Sequence, residues 1–199
     1  MSSLLEEAVR GAQEGYRLSW EEGISLFADA ALPVLGLLAN EARLRHNPEN
    51  LGTFVVDENL NYTNVCNVLC KFCAFYTLPK TPEAYDLTLE QILERVEALV
   101  AEGGTQLLLQ GGVNPQYRLR DYLRIFKAVS TQFPTVDIHS LSSAEIEWVA
   151  KKEGMTYREV FGAMKEAGYK SMPGAGAEIL VDRVRKEISP LRSSRDKWL

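Results

Sequence analysis

Asn61-Tyr62-Thr63-Asn64-Val65-Cys66-Asn67-Val68-Leu69-Cys70-Lys71-Phe72-Cys73-Ala74-Phe75-Tyr76 holds all three cysteines of the chain, at positions i, i+4 and i+7. A thiolate is a soft ligand suited to iron–sulfur clusters and zinc, and three so close together can reach one inorganic centre without help from distant sequence. A cluster of four irons and four sulfides normally takes four cysteines, so three leave one iron open to a small molecule. Two other readings fit the spacing. Steps of four and three share one face of a helix, where cysteine serves as a small hydrophobe. Against that, the run leads into Pro79, has no capping residue and follows the extended segment Asn61 to Val65. Structural zinc, with His46 or His139 as fourth ligand, is the second alternative, although zinc sites more often pair cysteines as C-x2-C knuckles.

Outward from this stretch, the N-terminal side reads as helical. Leu4 to about Gln13 is a short amphipathic helix; Ser19 and Glu22 form a capping box for a second helix through Phe27; Leu32 to Arg45 is a third, ending at His46-Asn47-Pro48. His46 reads as a cation at that helix's C-terminus. Thr53 to Val56 and Leu60 to Val65 are expected as short extended segments, the second delivering Cys66. On the C-terminal side strands and helices alternate. Capping boxes at Thr88/Gln91, Ser142/Glu145 and Thr156/Glu159 start helices to Glu102, Lys152 and Ala167, and a further helix covers Leu119 to Phe133. Strands are expected at Thr105 to Gln110, which is apolar enough for burial on both faces, at Thr135 to His139 and at Tyr169 to Met172. Such units predict an α/β fold with a parallel sheet or a barrel, whose chemistry sits in the loops after the strands. Residues 1–52 are expected to form a helical extension and 53–199 the core.

Composition excludes several classes. The 199 residues are 46% hydrophobic and 25% charged, as in an ordinary globular protein, and the net charge of −5 leaves no basic footprint for nucleic acid. The start lacks the basic and apolar regions of a signal peptide, and no apolar run is long enough to span a membrane. The expectation is a cytoplasmic protein without a membrane partner, in which clustered cysteines serve metal or redox chemistry and not disulfides.

The C-x3-C-x2-C spacing with Phe72 before the last cysteine resembles the radical S-adenosylmethionine (SAM) enzymes. The words Asn61 to Cys66, Cys70 to Tyr76, Gly103 to Gly112 and Pro173 to Arg185 resemble, more narrowly, the cyclic dehypoxanthinylfutalosine synthases of menaquinone biosynthesis, over about Arg17 to Leu199. The resemblance implies a partial TIM-type (β/α) barrel and a 4Fe-4S cluster on Cys66, Cys70 and Cys73. It also implies that the open iron binds SAM, whose reductive cleavage gives a 5′-deoxyadenosyl radical. Gly111 and Gly112 match the glycine pair beside the methionine amine, Tyr76 a position beside the adenosine, Glu178 a carboxylate that contacts SAM, and Ser142 a serine touching SAM or substrate. His139 and Glu145 are candidates for proton transfer. Each has a plain alternative: a turn for the glycines, core packing for Tyr76 and His139, a helix-start charge for Glu178 and an N-cap for Ser142. Thr77 departs from the arginine more often found there, which removes an anion contact.

The implied reaction is ring closure on a futalosine-derived nucleoside, with an electron donor such as flavodoxin or ferredoxin. Sister radical SAM enzymes, aminofutalosine synthase and the deazaflavin-forming subunit of coenzyme F420 synthesis, share the cysteine motif. A non-catalytic zinc or iron–sulfur protein is the rival from another class. Ser193 to Leu199 reads as the N-cap and first turn of a helix that one turn cannot stabilise. The chain is therefore expected to be truncated after about four parallel strands, with an uncovered edge near Tyr169 to Met172, and to be inactive alone.

Overall fold

The computed structural model describes residues 3–49 and 51–199, in two compact units, Met1–Phe54 and Val55–Leu199. The first unit is helical: α1 (Ser3–Glu14), α2 (Trp20–Asp29) and α3 (Leu32–His46) pack through Leu5, Ala8, Leu26 and Leu38. The Ser19 box closes as expected, with Glu22 N donating to Ser19 Oγ (3.2 Å) and Ser19 N to Glu22 Oε2 (2.7 Å). Arg45, on the last turn of α3, donates to the carbonyls of Gln13 and Ala12 at 3.0 and 2.8 Å, covering acceptors that the end of α1 leaves without intrahelical partners.

The second unit alternates strand and helix, with a helix pair before its fourth strand: β1 (Asp57–Leu60), α4 (Leu89–Ala101), β2 (Gln106–Leu109), α5 (Leu119–Gln132), β3 (Asp137–Ser140), α6 (Ser143–Glu153), α7 (Tyr157–Glu166) and β4 (Tyr169–Ser171), followed by α8 (Asp182–Ile188) and α9 (Arg195–Trp198). The four strands are parallel in the order β1-β2-β3-β4, the sequential order of a (β/α) barrel wall. Leu107, Leu109 and Ile138 are fully buried against Ile92 and Val96 of α4, Tyr122 and Phe126 of α5, Val149 of α6, and Val160 and Met164 of α7. Each such side chain contributes about 1.5–3 kcal/mol on burial.

Two expectations need correction. The first strand is neither Thr53 to Val56 nor Leu60 to Val65 but Asp57–Leu60, between them. Hydrophobic pattern misses it because it is an edge strand whose Glu58 accepts from Arg95 Nε of α4 at 2.8 Å, so charge stands where an apolar residue would mark a strand. Residues 61–65 lie outside the sheet, and their isolated bridges, Thr63 with Asp86 and Val65 with Thr77, pair them with later residues of the same loop. Second, β2 is not buried on both faces: Leu107 and Leu109 are buried, whereas Gln106 and Leu108 are half-buried, because the core helices pack against one face. The sequence reading assigned no element to α8, whose start lacks a side-chain cap. The edge expected near Tyr169 is present as β4, with β1 the other edge. Among the described residues no helix is long and apolar enough to cross a membrane.

Candidate functional site

Parallel strands bring the loops after β1, β2, β3 and β4 to one rim of the sheet. The first of these holds the cysteines. Thr77 N donates to Asn64 O (2.9 Å) and Cys66 N to Thr77 O (3.1 Å), while the Asn64 side chain donates to Glu83 O and accepts from Tyr85 N, both at 2.8 Å. These bonds fold residues 61–88 back on themselves into a loop with a fixed base. The Thr77 side chain turns to Thr81 Oγ1 (2.6 Å), so the position that departs from the family pattern is occupied locally.

Cys66 to Cys73 form turns and no helix, which removes the reading of the cysteines as a helix face. Cys70 is buried, Cys66 and Cys73 half-buried, and all three pack with Val68, Val113, Ala144 and Trp148. Leu69, between the first two cysteines, has φ +54°, a conformation rare for a side-chain-bearing residue outside functional loops. No three His, Cys, Asp or Glu side chains among the described residues converge closely enough to hold a metal ion. By chemistry the donor set suits an iron–sulfur group, since it is three thiols on one short loop with an apolar bed; sharing one centre requires their side chains to rotate towards each other.

Against this loop lies the glycine pair after β2. Gly112 N donates to Thr63 O (2.9 Å) and Asn67 N to Val113 O (3.1 Å). A Cβ on Gly112 would meet the Val65 carbonyl oxygen at 2.3 Å and Cys66 Cβ at 2.9 Å; one on Gly111 would meet the Tyr62 ring at 2.8 Å. The pair is glycine because the cysteine loop lies directly on it, a stronger requirement than a strand-to-loop turn imposes.

Glu145 ties three of the rim loops together from below. Its Oε1 accepts from Tyr62 Oη (2.6 Å) and Gly111 N (3.4 Å), and its Oε2 from Ser142 N (2.6 Å) and Ser142 Oγ (2.7 Å). Tyr62 Oη also lies 3.0 Å from Tyr122 Oη. Burial pushes the Glu145 carboxyl up to about 7, against the pull of the Tyr62, Ser142 and Gly111 donors. Burial and the neighbouring carboxylate likewise raise both tyrosines well above their ordinary range. The carboxylate is fully buried, so as the chain stands it does not meet a substrate. Ser142 caps α6, and Leu141 before it has φ +60°.

The loop after β4 carries Glu178. It does not start a helix: α8 begins at Asp182, and Glu178 stands in the loop with φ +40°, paired with Arg192, whose guanidinium lies 5.7 Å from the Phe72 ring centroid. Lys71 N donates to Ile188 O at 2.8 Å, so the cysteine loop and α8 are joined through backbone as well. His139 projects from the less covered face of β3, with Nδ1 2.6 Å from Ser171 Oγ. Tyr76 is half-buried in the cysteine loop.

Three residues that organise the rim had no role assigned from sequence. Arg185 is buried and donates to the carbonyls of Gly176, Ala177, Ile179 and Ser193 at 2.6–3.2 Å, which shapes the loop carrying Glu178. Asn64 and Tyr62 act through contacts with residues about 20 and 80 positions away. Pattern reading has no access to such partners. The recurrence of all three inside the quoted family words was the available signal.

The sequence profile of the Radical SAM superfamily matches residues 60–199. A cyclic dehypoxanthine futalosine synthase of Halalkalibacterium halodurans is 38% identical over all of this chain and 53% of its own length. The enzyme of that name from Streptomyces coelicolor is 40% identical over 98% of this chain and 50% of its own length. A 5-amino-6-(D-ribitylamino)uracil–L-tyrosine 4-hydroxyphenyl transferase from Cyanothece is 34% identical over all of this chain and 54% of its own length. The chain thus spans about half the length of these curated relatives. Among solved structures, the hydrogenase maturase HydG superimposes with a TM-score of 0.74 at 17% identity, over 99% of this chain and 42% of that one. Methylornithine synthase superimposes with a TM-score of 0.55 at 18% identity, over 82% and 57%. At those identities the likeness is one of fold.

Proposed function

Because the chain belongs to the radical SAM superfamily, we propose that Cys66, Cys70 and Cys73 hold a 4Fe-4S cluster, and that Gly111, Gly112, Ser142, Glu178 and Tyr76 form the bed for SAM. The observation that carries this reading is the bonding of the cysteine loop to the glycine pair, Gly112 N to Thr63 O and Asn67 N to Val113 O, which sets thiols and a close-approach backbone side by side. When bound, the cluster and SAM supply a carbon-centred radical able to take hydrogen from an unactivated C–H bond.

The chain's own residues then bind and orient. Gly111 and Gly112 let the cysteine loop close onto the end of β2, Glu178 offers a carboxylate to an ammonium or ribose hydroxyl, and Tyr76 a ring face to a base. His139 is the residue we assign to proton uptake, since Ser171 Oγ engages Nδ1 and leaves Nε2 available on the less covered face of the sheet. We place the reaction as intramolecular ring closure on a futalosine-derived nucleoside, with a small redox protein such as flavodoxin or ferredoxin as electron donor. The futalosine synthase relatives at 38% and 40% identity support that choice. The match to the hydroxyphenyl transferase at 34% over the whole chain supports the second reading, transfer to a ribitylaminouracil.

The test is anaerobic reconstitution of the full-length protein with iron and sulfide, followed by SAM, a reductant and each candidate substrate. About four irons per chain and release of 5′-deoxyadenosine are expected. One zinc and no brown chromophore would sink the cluster, and consumption of the ribitylaminouracil but not of the futalosine nucleoside would select the second reading.

A further inference from the structure

Glu145 is the one fully buried carboxylate among the described residues. Helix capping alone does not require it. The box at Thr88 is closed by the amide of Gln91, and those at Ser19, Thr88 and Thr156 all lie at the surface. The second oxygen of Glu22 takes only the exposed Tyr16 hydroxyl, whereas that of Glu145 is buried and accepts from both the Tyr62 hydroxyl and the backbone N–H of Gly111. The donors it collects come from the loops after β1, β2 and β3, and two of them stand next to proposed site residues: Tyr62 four positions before Cys66, and Gly111 in the glycine pair.

Resting on the reading of the rim as a SAM site, we propose that Glu145 is a positioning residue, whose carboxylate holds the Gly111–Gly112 backbone in register with the Tyr62 to Cys66 segment without touching the cofactor. Both of its oxygens face a backbone N–H that cannot rotate away, Gly111 on one side at 3.4 Å and Ser142 on the other at 2.6 Å. An amide in its place must turn its own N–H2 towards one of them. The shorter bond keeps the oxygen at Ser142, the Tyr62 hydroxyl can reverse towards Tyr122, and the Gly111 N–H is left facing another donor. A glutamine at 145 therefore preserves the cap of α6 and releases the glycine pair.

The experiment compares Glu145→Gln with Thr156→Ala, which removes the surface cap of α7. Amide hydrogen exchange at Gly111 and Gly112 is read by NMR in cluster-free protein, and SAM affinity by calorimetry after reconstitution. Glu145→Gln is expected to speed Gly111 exchange and weaken SAM binding, each about tenfold, while keeping its iron. Thr156→Ala is expected to change neither. Unchanged Gly111 exchange in folded Glu145→Gln, or the same acceleration in Thr156→Ala, overturns the proposal. Should Glu145→Gln not fold, the wild-type protein decides: a Gly111 amide exchanging at the rate of an open loop overturns it, and one protected like the neighbouring Gly112 amide supports it. If wild-type protein binds no SAM, the cofactor assignment falls, and the exchange measurement still decides whether Glu145 holds the loop.

Discussion

Gly112 sits under Cys66 so closely that a single added methyl group would stand 2.9 Å from Cys66 Cβ and 2.3 Å from the carbonyl oxygen of Val65. Neither contact can be relieved by turning a flexible side chain, because both involve the base of the cysteine loop. Gly112→Ala is expected to lower stability by about 1–3 kcal/mol, as overpacking does, and to reduce iron uptake on reconstitution. A melting temperature and iron content equal to wild type would show that the loop moves freely off the glycine pair.

Glu145 makes stability depend on pH. Its carboxyl is raised by burial from an ordinary 4.5 to about 7, so between those values the folded chain holds a proton that the unfolded chain has released. The group's contribution is thus fully present below about pH 4.5, falls as pH rises, and is lost above about pH 7, a change of up to about 3 kcal/mol at 1.36 kcal/mol per unit. Denaturant titrations between pH 5 and 8 should show this slope in wild type and lose it in Glu145→Gln; equal slopes would mean that Glu145 does not titrate in that range.

Glu178 separates binding from stability. Replacing it by glycine removes an ion pair with Arg192 whose partners are 31% and 17% exposed, worth about 0.2–1 kcal/mol. The same change relieves a side chain held at φ +40°, which returns about 1 kcal/mol. Glu178→Gly is therefore expected to melt within a few degrees of wild type while SAM affinity falls about tenfold. Undiminished affinity would assign Glu178 to holding its loop against Arg192.

Leu107, central in the sheet and fully buried, tests the core that supports the rim. Leu107→Ala should cost about 2–5 kcal/mol, read by urea unfolding with an unchanged m value. A loss below 1 kcal/mol would indicate that the helix layer closes over the cavity.

Much of this was legible in the chain itself, and the reasons are local. The capping boxes at Ser19, Thr88, Ser142 and Thr156 declare helix starts because a hydroxyl and a carboxyl or amide three residues apart satisfy the first backbone donors wherever they occur. Alternation of strand and helix predicted the parallel sheet, and three cysteines in one short run marked the loop to which we assign the cluster. What stayed hidden depends on partners distant in sequence. Asp57–Leu60 is a strand because Gln106–Leu109 lies beside it, despite charges that argue against one. Glu145 reads as a helix cap from its spacing to Ser142, and only the packing of β1, β2 and β3 side by side brings Tyr62 and Gly111 to its other oxygen. Local hydrogen bonds are written in residue spacing; which groups share a buried carboxylate is decided by the sheet, since strand pairing sets which loops meet at the rim.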